Sequence, residues 1–84
     1  MDNNDKLTKE FDQPAVYEVV VNGTVSPGSY ASFKGITSRS VRSEDANTLT
    51  VLTGPFSGQI ELGELFNLFY EQQLAIISVR KLSD

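Results

Sequence analysis

The chain is expected to fold as a ferredoxin-like α+β domain, β-α-β-β-α-β, with a four-stranded antiparallel sheet and a short first helix. Three observations predict it. A β-branched, alternating run opens the domain at residues 16–25; two further strand-like runs, 36–43 and 48–53, flank the turn-forming Glu44-Asp45-Ala46-Asn47; and an amphipathic segment, 57–74, leads straight into a last strand at 75–82. Without the first helix, the same pattern describes a four-stranded sheet covered by a single helix.

Residues 1–13 are rich in Asp, Asn, Lys and Glu, with Leu7 and Phe11 as the sizeable apolar groups. Such a segment buries too little to offset its ordering entropy, so it reads as a disordered or loosely attached tail preceding a single α+β domain at residues 14–84. Pro14 marks the boundary, because it lacks a ladder donor and pushes its predecessor away from helix. In the first strand Tyr17, Val19, Val21 and Val25 share one side, read as core; Val16, Glu18, Val20, Asn22 and Thr24 share the other.

Ser26-Pro27-Gly28-Ser29 is a turn signal with Pro placed for a first helical turn, and Tyr30 to Phe33 leave room for about one turn before Gly35. This is the short first helix, or else a packed loop with Tyr30 and Phe33 as a plug over the sheet. The run 36–43 is dominated by Ser, Thr and Arg, with Ile36 and Val41 as anchors, a composition suited to a sheet edge. In the third strand Leu49 and Val51 fall on one face and Thr48, Thr50 and Leu52 on the other. Gly54-Pro55 is expected to end it, with Ser57 as helix N-cap. Glu61 and Glu64 suit the positive end of the helix dipole. Leu62, Leu65, Phe66 and Phe69 form an apolar stripe that Ile60 and Leu68 widen, and the stripe requires a sheet beneath it.

The succession Tyr17-Glu18-Val19-Val20-Val21-Asn22-Gly23, Phe33-Lys34-Gly35-Ile36-Thr37, Leu52-Thr53-Gly54-Pro55, Gln59 with Leu62, Leu65 and Leu68, and Ile76-Ile77-Ser78-Val79-Arg80 resembles a family of small bacterial conserved proteins of unknown function with a split βαβ pattern. The resemblance covers about residues 17 to 82. The chain carries Gly58-Gln59 where that family tends to place Asp before the Gln, and Gln73-Leu74-Ala75 where it tends to have a Gly-Leu-Pro-like turn. The resemblance implies a fold and brings no activity.

Composition narrows the chemistry. The 84 residues include no cysteine and no histidine, which removes disulfides, thiolate metal sites, the commonest transition-metal ligand and the commonest general base. No catalytic or metal-binding residue and no cofactor is expected, and the chain reads as a non-enzyme. A net charge of −4 with scattered Lys and Arg argues against nucleic acid. The strand 48–53 also lacks the aromatics on which RNA-binding sheets stack bases. No apolar run of membrane-spanning length or basic leader is seen, so a cytoplasmic, membrane-free protein is expected. Glu18, mid-strand, reads as the cross-strand partner of Arg80 or Arg39.

Two functional expectations remain. Domains of this size bury only about 60% of their unfolded surface, and with disulfides and metals excluded, self-association is the remaining source of stability. A homodimer, with room for another protein partner, is therefore expected through an open sheet face carrying Val20, Thr50, Leu52 and Ile76 or Ser78. The alternative is sensing of an anionic metabolite at the loop of Gly54, Ser57, Gly58 and Gln59, where amides point out from a helix start.

Overall fold

The computed structural model describes residues 14–83. Strand β1 (Ala15–Asn22) is followed by a 3-10 turn (Pro27–Tyr30), strands β2 (Thr37–Arg42) and β3 (Thr48–Phe56), helix α1 (Gln59–Glu71) and strand β4 (Ala75–Ser83). The four strands form one antiparallel sheet in the order β2-β3-β1-β4. The expected tail at residues 1–13 lies outside the described residues.

The ferredoxin-like expectation is corrected: among the described residues the order is β-β-β-α-β, with one α-helix, and the sheet covered by a single helix is what forms. The reason lies between Ser26 and Gly35. Pro27, Gly28, Ser29 and Ser32 are poor helix formers, and the segment offers no apolar stripe to stabilise a helix by packing. It closes only a four-residue 3-10 turn, with Ser29 N–H donating to the Ser26 carbonyl at 3.0 Å. Its side chains still serve the core. Val25 and Phe33 are buried, Tyr30 packs against them, and the Tyr30 hydroxyl lies 2.7 Å from Ser38 Oγ on β2.

A second correction concerns the end of β3. Gly54-Pro55 does not break the strand, which continues to Phe56 opposite Ala15. β2 begins only at Thr37, opposite Thr53, so β3 has only β1 beside it at Pro55, and proline is tolerated where one side of a strand is unpaired. Gly54 is required by close approach. A Cβ there would stand 2.5 Å from Ile36 Cδ1 and 2.8 Å from the Gly35 carbonyl oxygen.

The core lies on one face of the sheet. Tyr17, Val19, Val21, Leu52 and Phe56 meet Leu62, Leu65 and Phe69 of α1, with Phe66 and Leu68 half-buried at its margin. Tyr17 and Phe56 contact edge to face at 6.2 Å between ring centroids. The helix stripe is thus confirmed except at Ile60, which is 83% exposed. α1 closes in a Schellman turn, with Leu74 N–H donating to the Phe69 carbonyl and Gln73 N–H to the Tyr70 carbonyl. Gln73 holds the left-handed position usually taken by glycine, at φ 61°.

Candidate functional site: the uncovered sheet face and the β4 edge

The register assigns the second face of the sheet. Val20 stands opposite Val51 on β3 and Ser78 on β4; Glu18 stands opposite Thr53 and Arg80; Val51 in turn meets Arg39 on β2. Opposed residues share a face, so Val16, Val20, Leu49, Val51 and Val41 form an apolar band on the side away from α1. Val51 at its centre is buried, at 7% exposure, and Val16, Val20, Val41 and Leu49 around it are half-buried. One ion pair crosses it, Arg80 Nε donating to Glu18 Oε1 at 3.2 Å, the partnership expected for Glu18.

The predicted interface residues divide. Val20 lies on the uncovered face, but Ile76, 37% exposed at the sheet edge, stands opposite the buried Val21 and is therefore off the face on which Val20 lies. Leu52 and Thr50 lie on the opposite face: Leu52 is 0% exposed in the core, and Thr50 is buried with its hydroxyl donating to the Gly23 carbonyl at 2.6 Å. Leu49 and Val51 occupy the places expected for them. The cause is parity. Thr50, Leu52, Gly54 and Phe56 alternate together, and once the strand runs through Pro55, the need to bury Phe56 draws Leu52 inward with it. Phe56 was the available signal.

The predicted ligand loop is already filled by the chain itself. Gly54 belongs to β3, and Gly58, not Ser57, is the N-cap, at φ 151°. Ser57 N–H donates to Glu61 Oε1 at 2.6 Å, so a carboxylate of α1 stands where an anion would sit. Gln59 is the exposed first residue of the helix. Among the described residues, no group of three or more metal-ligating side chains occurs and no buried side-chain polar atom lacks a hydrogen-bond partner. Among the described residues, no helix is long and apolar enough to cross a membrane.

The two sheet edges differ. β2 is six residues long and mostly exposed Ser, Thr and Arg, a protected edge of the kind expected. β4 is nine residues long and exposes Ile76, Ile77 (53%) and Leu82 (44%). Its pairing with β1 shifts between the Val20–Ser78 and Val21–Ile76 pairs, and again between Tyr17–Lys81 and Val16–Ser83. Ile77 and Leu82 are the residues passed over at these shifts. Where β4 begins, Tyr70, Glu71, Gln73, Leu74 and Ala75 line a shallow depression of about 530 Å³, and Tyr70 is 81% exposed. Ile77, Leu82 and Tyr70 were not singled out from sequence, because alternation alone does not show which strand ends as an edge.

A domain of unknown function, DUF8691, matches residues 16–80, from β1 into β4. The chain belongs to this family. No curated protein and no solved structure matches it. The DUF8691 match spans both the apolar band and the greater part of the β4 edge, so these surfaces are parts of the domain itself.

Proposed function

We propose that this DUF8691 domain is a non-enzymatic protein-interaction module that self-associates through the surface α1 leaves uncovered. The observation that carries the reading is the placement of apolar side chains outside the core: Val16, Val20 and Leu49 are half-buried on the uncovered face, and Ile76, Ile77 and Leu82 are exposed at the neighbouring β4 edge. Charge supports a second copy as the occupant. Apart from Glu18, which is paired with Arg80, the described acids sit on α1 or in the β2–β3 turn, so two copies can meet at this surface without opposing carboxylates. A small core with no cysteine gains from the added burial, at roughly 25 cal/mol per Å² before the cost of association. A bacterial, cytoplasmic setting belongs to the same reading and rests on the sequence alone.

Sedimentation of the wild type beside Val20→Glu and Ile77→Arg tests it. A two-chain species that becomes one chain in at least one folded variant is the expected result; a two-chain species unchanged in both would place the contact elsewhere. Metabolite sensing is the less favoured reading, because Glu61 already satisfies the helix start.

A further inference from the structure

We infer that the second copy pairs with β4 edge to edge and antiparallel, about a twofold axis at Val79, so that two four-stranded sheets become one of eight strands. The inference rests on the self-association proposed above and names its seam.

The sheet has two free edges, β2 and β4. β2 is short and has Val41 as its one apolar side chain, whereas β4 is long and, beside Arg80 and Lys81, exposes two isoleucines and a leucine. Bulges also guard edges by twisting them, and β4 has two irregularities, yet residues 78–81 between them pair regularly with β1. A pairing on the outer side must be centred in that run.

Parity then restricts the register. Two identical antiparallel strands in one sheet are related by a twofold axis perpendicular to it, so their faces agree. Because opposed residues share a face and side chains alternate, one residue must face its own copy. Arg80 or Lys81 at the axis would set like charges directly opposite each other, which is destabilising. Ser78 at the axis sets Ile77 against Val79 of the second copy, but it places the charged Arg80 against Ile76 and carries Leu82 past the start of β4, to Leu74. Val79 at the axis gives a β-branched pair, sets Ser78 against Arg80, and brings Ile76 to Leu82 of the second copy at both ends. Arg80 remains neutralised by its own Glu18. In this register the end of the second copy's β4 arrives beside Ala75, at the depression lined by Tyr70 and Leu74. The two apolar bands then lie side by side on one extended face.

The absence of cysteine makes the test clean, since a single introduced thiol can oxidise only to its own copy. Val79→Cys, Val20→Cys and Ser40→Cys are each oxidised mildly at a concentration where the wild type has a two-chain mass. The Val79→Cys chain is expected to yield at least about tenfold more covalent dimer than the other two, because only its Cα atoms come within disulfide reach. Should Val79→Cys fail to fold, an equal mixture of Ser78→Cys and Arg80→Cys chains replaces it, and should cross-link about tenfold more than either alone. Ile77→Arg, which sets a cation near Lys81 of the second copy, should dissociate the dimer, and Ile77→Glu should keep it. A two-chain wild type that cross-links at Val20→Cys, or equally at all three sites, overturns the β4 seam while leaving self-association standing. A one-chain wild type overturns both.

Discussion

Val20 on β1 stands directly opposite Val51 on β3, and this pair centres the sheet face that α1 does not cover. One position along in each strand, Val19 stands opposite Leu52, and both are 0% exposed beneath the helix. Period-two alternation thus separates a core from a candidate contact surface by a single residue step.

That step predicts opposite outcomes for two similar substitutions. Leu52→Glu places a carboxylate in the core without a partner and should abolish folding or cost more than about 4 kcal/mol. Val20→Glu stands on the uncovered face and should cost about 1 kcal/mol or less in the monomer. Urea midpoints at a concentration too low for association check both, and equal losses would reject the register.

Helix packing predicts a gradient. Phe69 is 0% exposed, so Phe69→Ala should cost about 3–5 kcal/mol, a large share of the stability of so small a domain. Phe66 is only half-buried at the margin of the core, and Phe66→Ala should cost clearly less. A midpoint shift in the reverse order would show that α1 is rotated on the sheet.

These contrasts also mark how far the sequence could be read. The alternation of β1, the stripe of α1, the polar edge strand β2 and the pairing of Glu18 with Arg80 were legible, because each depends on local periodicity or on opposite charges. The faces of β3 were not. Gly54-Pro55 carries a strong turn signal, and only the tertiary fact that β2 pairing begins no earlier than Thr37 lets the strand continue to Phe56. The first helix failed for the converse reason: Tyr30 and Phe33 do anchor the segment, but as single side chains packed on the core. At the candidate ligand loop, Glu61 was read as a partner of the helix dipole, while its hydrogen bond to Ser57 N–H needed the geometry of the Gly58 cap.

The C-terminal end of α1 offers a stabilising change. Gln73 holds φ 61° in a Schellman turn, a conformation that favours glycine. Gln73→Gly should raise stability by about 0.5–1 kcal/mol, the relief of strain exceeding the extra freedom of the unfolded chain. A loss of stability in thermal unfolding would mean that the Gln73 side chain makes a contact worth more than the strain.

The β2–β3 turn carries a pH dependence. The Ser43 hydroxyl, and next the Asn47 backbone, hold the Asp45 carboxyl below its ordinary range, with Asn47 Nδ2 also donating to it at 3.2 Å. A carboxyl depressed in the folded state stabilises it above the ordinary Asp value, and the contribution disappears as pH falls through the lowered one. Asp45→Asn should therefore differ most from the wild type near neutral pH and converge with it in acid. Because the group is exposed, added salt should shrink the difference. A gap that widens in acid would contradict the assignment.

The central claim, that the domain self-associates, is tested most directly by gel filtration coupled to light scattering on the wild-type chain at tens of micromolar. A mass twice the 9.2 kDa of one chain, falling toward one chain on dilution, is the predicted result. A mass of one chain throughout that range would contradict it.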